Sequence, residues 1–112
     1  METKKVVLNV KALSVNSAWK GGARYRTEDY KEFEQEVFYQ LPRFVMIKGE
    51  VEMNYKFYIK NYSRTDVSNL LKCLEDILVK AKIIEDDRFV VKLSAEKIKS
   101  EKEKIEIEII KK

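Results

Sequence analysis

The chain has 112 residues, a length that fits one domain with one modest core. Apolar residues make up 45% and charged residues 38%, which excludes a disordered or fibrous protein. With no His and one Cys, imidazole catalysis, the usual zinc sites and a disulfide framework are excluded, while a net charge of +4 is compatible with a polyanionic partner.

No apolar stretch has the length of a signal peptide or a membrane span, so we expect a cytoplasmic protein with no membrane partner. Cys73 falls within a helical pattern and is interpreted as a buried structural thiol. The positive excess lies at the start of the chain, where residues 1–27 carry six basic and one acidic side chain.

The first element is a strand over Lys5–Ala12, predicted from the alternation of apolar and polar residues. Residues 13–27 have no steady period, contain a Gly pair and mix basic with aromatic side chains, which indicates a loop. Loops this long usually bind something or close over a site. Trp19 and Tyr25 could stack on unpaired bases or anchor the loop to the core, and the pattern does not choose between these roles.

A helix with Thr27 as its N-cap is predicted next, ending near Pro42. Residues 45–59 then alternate regularly, as one long strand or as a hairpin around Gly49. A loop over 61–65 leads into a second helix, whose apolar face is Val67, Leu70, Leu71, Leu74, Ile77 and Leu78.

The end of the chain is predicted to form two more strands, over 89–95 and 105–109, joined by a charged turn over 97–104. The mixed charges of the last sixteen residues are typical of a solvated hairpin, to which we assign no functional role. The order β-α-β-α-β-β predicts one α+β domain over 1–112, a mixed sheet with two helices on one face. Its other face is expected to be solvated or used for binding.

Two polar segments flank the second helix. One runs from Arg64 to Lys72 at the helix start, and the other is Asp86-Asp87-Arg88 before a strand. Carboxylates in these positions can meet at one edge of a sheet, and carboxylate oxygens are what magnesium requires. A bound metal can activate water or a phosphate without histidine.

These segments resemble the RusA-type Holliday junction resolvases, small dimeric endonucleases of bacteria and their phages. The resemblance covers nearly the whole chain. Three motifs carry it, in chain order. The first is Leu13-Ser-Val-Asn16-Ser17-Ala-Trp19-Lys20 with the basic loop that follows, which is similar to the start of the family's sequences. The second, Asp66-x-Ser68-Asn69-x-x-Lys72, resembles the family's Asp-x-Asp-Asn-x-x-Lys motif, and the third, Ile84-Glu-Asp86-Asp87, resembles its downstream acidic pair.

The resemblance implies paired hydrolysis of phosphodiesters at a four-way DNA junction, in recombination and repair, by a homodimer that uses magnesium or, in its place, manganese. It makes Asp66 and Asp87 metal ligands, Asp86 a neighbouring carboxylate, Asn69 a positioning residue and Lys72 a catalytic or phosphate-binding cation. No small-molecule cofactor is expected. The candidates for DNA binding are Asn16, Ser17, Trp19, Lys20, Arg24, Arg26 and Arg64.

Ser68 stands where the family has its second motif aspartate, so the site lacks one negative charge. A serine hydroxyl is a weak neutral ligand, so magnesium could bind less tightly, bind through water, or draw more on Asp86. This departure motivates an alternative hypothesis, a structure-specific DNA-binding module of the same fold that has lost catalysis. A third hypothesis, ranked last, is an interaction domain without a nucleic-acid role.

Each site residue also has a purely structural interpretation. Asp66 could cap the second helix, and Asp86-Asp87 could form a plain turn. Lys72 could be a solvated surface cation, while Ser68 and Asn69 could satisfy free N–H groups of the first helical turn. On spacing alone these interpretations rank first for the acidic residues, and the motif context reverses that order.

Overall fold

The computed structural model describes residues 2–14, 19–20, 25–43 and 46–112, and at 19, 20, 25 and 26 it is the backbone that is described. The elements are β1 (Thr3–Leu8), β2 (Trp19–Lys20), β3 (Tyr25–Arg26), α1 (Glu28–Gln40), β4 (Val51–Ile59), α2 (Val67–Lys80), β5 (Val90–Lys99) and β6 (Lys104–Lys111). Short 3-10 turns at Tyr62–Arg64 and Asp87–Phe89 precede α2 and β5.

The main sheet has four strands in the order β1-β6-β4-β5. Strand β4 pairs parallel with β5 and antiparallel with β6, and β6 pairs antiparallel with β1. The predicted mixed sheet is therefore confirmed. Because both edges of β4 are occupied, the edge strands of this sheet are β1 and β5.

Alternation along β4 and β6 places one set of side chains in the core and the other on the opposite face. The buried residues of both helices belong to the same core cluster as the buried strand residues, so α1 and α2 cover one face of the sheet, as predicted. Cys73 is one of them, and burial raises the pKa of its thiol to about 11. The interpretation of Cys73 as a buried structural thiol is confirmed.

Several predicted boundaries are wrong. Strand β1 ends at Leu8, which pairs with Ile105, because its partner β6 begins only one residue earlier, at Lys104. Within the described chain, Val10 and Ala12 therefore have no strand to pair with. The segment 13–27 is not all loop, since it contains the β2–β3 hairpin. A strand of two residues is too short to be recognised from an alternation of apolar and polar residues.

The third correction concerns 45–59, where the strand begins at Val51. Ile47 forms an isolated bridge with Ile84, and Gly49, with φ +78°, breaks the extended backbone before the strand starts. Its N–H donates to the Glu85 carboxylate at 3.0 Å, which ties this segment to the stretch after α2. Gly49 is therefore the entry to the strand and not the turn of a hairpin.

Strand β5 is longer and more exposed than predicted. It pairs with β4 as far as Ile59↔Lys99, so the predicted charged turn over 97–104 shrinks to residues 100–103. Val91 and Leu93 are about half exposed on this strand, which lies at the edge of the sheet.

The sheet face away from the helices is polar and hydrogen-bonded. The Asn54 amide nitrogen donates to Glu52 at 3.2 Å and to Glu108 at 3.0 Å, and the Ser94 hydroxyl donates to the Asn54 oxygen at 2.5 Å. Neither helix of the described chain has the length and apolar character that a membrane span needs.

Candidate active site

Asp66 stands at the N-cap of α2, directly after the loop that leaves β4. Its backbone carbonyl accepts from the Asn69 N–H at 3.1 Å, but its side chain makes no capping hydrogen bond. The carboxylate is exposed. Side-chain capping, the structural alternative for Asp66, is therefore not observed, and the carboxylate is available to a ligand.

The loop before Asp66 is held by a residue to which the sequence assigned no role. Lys97 of β5 donates from Nζ to the carbonyl oxygens of Tyr62 at 2.6 Å and Thr65 at 2.9 Å. The same ammonium lies 4.4 Å from the centre of the Tyr62 ring. More than thirty positions separate the partners in the chain, and the parallel pairing of Phe57 with Lys97 is what brings them together.

We expect Lys97→Met to loosen this loop while the fold is kept. A hydrogen bond to a charged group contributes roughly 1.5 kcal/mol, so losing two of them should speed amide exchange in residues 61–66 by about tenfold or more. Hydrogen exchange read by mass spectrometry measures this. The matched control is Lys99→Met, two residues further on the same strand, and equal exchange in both variants would contradict the assignment.

Asp66 lines a cleft of about 830 Å³ between the segment after β1, helix α1 and the start of α2. Arg64 and Asn69, both predicted site residues, lie on the same wall. The opposite wall carries further acidic side chains from α1, namely Asp29, Glu32 and Glu36. The cleft can thus admit an extended ligand past Asp66, with Arg64 and Lys11 as its cations.

The second acidic segment lies beside the middle of α2. Asp86 precedes the 3-10 turn Asp87–Phe89, and its carbonyl oxygen accepts from the Phe89 N–H at 3.1 Å. A side-chain hydrogen bond with Asp87 lowers the pKa of the Asp86 carboxyl, and Arg88, whose Nε lies 3.8 Å from Asp86 Oδ2, acts in the same direction. The predicted turn at Asp86-Asp87 exists, and it presents two carboxylates together.

Helix α2 packs against this turn and adds three charged groups to it. Lys72 is 63% exposed at its side chain, and its Nζ lies 3.6 Å from Asp76 Oδ1. Glu75 is half-buried, and its pKa is raised by burial first and then by the negative charge of Asp87. Asp87 and Lys72 thus both act on the Glu75 carboxylate, as does Asp76.

Asp66 and Lys72 lie on one helix, six residues and about 9 Å apart along its axis. The structure thus places Asp66, Asn69 and Arg64 on the cleft. Asp87, at the turn before β5, acts instead on Glu75, which follows Asp66 by nine residues on α2. Ser68 is exposed in the first turn of α2, between the two groups.

The proposed DNA-binding residues are described only in part. Asn16, Ser17 and Arg24 lie outside the described residues. Trp19 and Lys20 form β2, and the backbone register sets Trp19 opposite Arg26 in the hairpin.

Magnesium suits the donors of this site chemically. In the described part of the chain no three His, Cys, Asp or Glu side chains converge into a ready metal cage. Mg²⁺ needs no such cage, because it keeps several waters and is commonly held by one or two carboxylates. The adjacent carboxylates of Asp86 and Asp87 meet that requirement, and Asp66 offers a further exposed one.

Comparison with known proteins matches a family model described as endodeoxyribonuclease RusA over residues 11–110. One relative is the crossover junction endodeoxyribonuclease rusA of Lactococcus phage r1t, which is 47% identical over 47 residues. These make up 42% of this chain and 36% of the relative, so the alignment spans little more than a third of the relative's length. The family match includes both acidic segments and the cleft.

Proposed function

Because the chain belongs to the endodeoxyribonuclease RusA family, we propose that it is a magnesium-dependent endonuclease that resolves four-way DNA junctions by hydrolysing a phosphodiester in each of two opposing strands. The observation that carries the proposal is the family match across residues 11–110, together with the exposed Asp66 and the Asp86-Asp87 pair within it. The name of the phage relative, a crossover junction endonuclease, supports the same substrate.

In this proposal Asp87, with Asp86 beside it, would hold the cation directly, while Asp66 would reach it through a water of its shell and Ser68 would offer a neutral oxygen donor. Bound magnesium, or manganese in its place, would lower the pKa of a bound water and offset charge on the phosphate. Asp86 suits its role because it lies directly beside Asp87 at the start of the turn before β5. Asn69 holds the N-terminal turn of α2 through its N–H bond to the Asp66 carbonyl.

Lys72 is the cation that would meet the scissile phosphate. The Lys72 side chain is largely exposed, and its Nζ lies 3.6 Å from Asp76 Oδ1. At that distance the ion pair is weak enough for a phosphate oxygen to replace Asp76 as the partner of Lys72. Charge that develops on the phosphate during cleavage would be offset there. Deleting the ammonium should therefore affect the cleavage step more than junction binding.

The DNA backbone would be held by Arg64 on the cleft and by Lys20, Arg24 and Arg26 of the basic segment, with Asn16, Ser17 and Trp19 beside them. Contacts to phosphates position a protein without reading sequence, so selectivity for a junction would come from shape. Such an activity would place the protein in the cytoplasm, in recombination and repair of bacterial or phage DNA.

Symmetric cutting of opposing strands needs two active sites related by a twofold axis, so we propose a homodimer. Strand β4 offers no free edge for it, since β5 and β6 pair on its two sides. Among the described strands, β1 and β5 each have an unpaired edge, which leaves two candidate surfaces for strand pairing between copies.

A cleavage assay on a synthetic four-way junction and a linear duplex of the same sequence tests the function. With Mg²⁺ we expect paired, symmetric nicks in the junction and little cutting of the duplex; with a chelator, neither should be cut. Junction binding without any cutting in Mg²⁺ or Mn²⁺ would contradict the proposal and favour the silent DNA-binding module.

A further inference from the structure

The side-chain amide of Gln40, the last residue of α1, holds the backbone of Asn9 by two hydrogen bonds. The Asn9 N–H donates to Gln40 Oε1 at 2.6 Å, and Gln40 Nε2 donates to the Asn9 carbonyl oxygen at 3.1 Å. Pairing of β1 with β6 ends at Leu8, so Asn9 is the first residue beyond the sheet. The amide thus supplies the acceptor and the donor that a neighbouring strand would otherwise supply.

The segment 10–14, directly after this contact, forms one wall of the cleft. It lines the cleft together with Asp29, Glu32 and Glu36 of α1. These three acidic residues and Gln40 follow one another at steps of three or four positions, so Gln40 lies on the same side of α1. It stands about one turn beyond the last of them. The hydrogen bonds of Gln40 therefore fix where this wall of the cleft begins.

Glu36 connects the contact at Asn9 to the cleft. Gln40 Nε2 also donates to Glu36 Oε2 at 3.3 Å, and Glu36 lines the cleft. The Asn9 carbonyl and the Glu36 carboxylate both need a donor, whereas the Asn9 N–H needs an acceptor. The three bonds therefore select one orientation of the Gln40 amide and hold it there.

The same wall leads into the part of the chain that is proposed to bind DNA. After Ser14 the chain continues into residues 15–26, where every candidate DNA contact except Arg64 lies. The next residue, Thr27, is the N-cap of α1, at the opposite end of that helix from Gln40. Both ends of this stretch are therefore attached to α1, one through the chain itself and the other through the Gln40 amide.

We infer that Gln40 is a positioning residue for DNA, because its hold on Asn9 sets the wall of the cleft and the point from which the basic segment leaves the fold. The inference rests on the proposed function for the nature of the ligand. Without the amide, the segment would have to be ordered when DNA binds, which lowers affinity. Within the described chain, the hydrogen bonds of Gln40 reach Asn9 and Glu36 and neither acidic motif, so the cleavage step itself should not depend on Gln40.

Hydrogen exchange of the protein without DNA tests the contact. In Gln40→Ala the amides of residues 9–14 should exchange about tenfold faster or more, because two hydrogen bonds that hold this segment are lost. Gln40→Glu keeps the shape and the acceptor but sets a carboxylate against the Asn9 carbonyl, so at neutral pH it should exchange as fast as Gln40→Ala. Gln35→Ala, which removes an exposed glutamine from the same helix, is the control and should exchange like the wild type.

Binding and cleavage separate positioning from plain stability. The dissociation constant for a four-way junction, measured by gel shift without Mg²⁺, should rise about fivefold or more in both Gln40 variants. The single-turnover cleavage rate of junction saturated with enzyme should stay within about twofold of the wild type. Thermal unfolding gives the melting temperature of each variant, and all assays are run well below it. A purely stabilising contact would lower that temperature and leave the affinity of the folded protein unchanged.

Unchanged exchange over residues 9–14 in Gln40→Ala would overturn the inference, and so would faster exchange with a junction affinity within about twofold of the wild type. The proposed function fails separately. Gln40-dependent junction binding by a protein that leaves junctions uncut in Mg²⁺ and Mn²⁺ would refute the nuclease function alone. Normal cutting by the wild type together with normal affinity in Gln40→Ala would refute the role of Gln40 alone.

Discussion

Asp87→Asn should reduce the rate of junction cleavage by about a hundredfold or more, as happens when one electrostatic stabiliser of a transition state is removed. Asparagine keeps the shape of the side chain but cannot offer a charged oxygen to a hard cation. Asp66→Asn should have an effect of the same size. Single-turnover cleavage of a labelled junction measures the rate, and a gel shift without Mg²⁺ measures binding.

Junction binding should survive both substitutions or become tighter, because each removes a negative charge that faces the DNA. The control is Asp29→Asn, which changes a carboxylate on the opposite wall of the same cleft. It should cut at close to the wild-type rate. If Asp66→Asn and Asp87→Asn also cut at that rate, these residues do not form the active site.

Leu74→Ala should destabilise the protein by about 2–5 kcal/mol, the range for truncating a large buried aliphatic side chain. Leu74 is fully buried, on the face of α2 that packs on the sheet. Small domains have only about 5–15 kcal/mol of stability in total, so this loss should bring the chain near the point of unfolding. Urea unfolding followed by circular dichroism measures the change.

Leu93→Ala is the matched control, because Leu93 is 46% exposed on edge strand β5. Its effect should stay within about 0.5 kcal/mol, as for most surface substitutions. Equal destabilisation by the two changes would mean that α2 is not packed on the sheet as described. The comparison also matters for function, since α2 carries Asp66, Lys72 and Glu75 and positions them only while it is docked.

The local elements of this protein could be predicted from its sequence because their signals are periodic and short-range. The alternation of Ile105, Ile107 and Ile109 identified β6, and helical spacing identified the buried face of α2. Side-chain periods of 2.0 and 3.6 residues depend only on backbone geometry. They can therefore be read from the sequence without knowing which elements pack against each other. The ordered motifs at Asp66, Lys72 and Asp87 likewise identified the family.

Strand ends depended on the partner strands and were therefore not predictable. Strand β1 stops where β6 ceases to face it, and β5 continues to Lys99 because β4 runs beside it. The alternation over 89–95 could not show that β5 lies at the edge of the sheet, where Val91 and Leu93 are about half exposed. Burial on a strand is set by the layer that covers it, which is a tertiary property.

The sequence by itself determined the elements, the family and the first carboxylates of the candidate site. Only the tertiary structure showed that Lys97 holds the loop before Asp66. Both hydrogen bonds of Lys97 cross from one element to another. Sheet register and helix docking bring such groups together, whereas sequence periodicity records only which side of its own element a residue occupies.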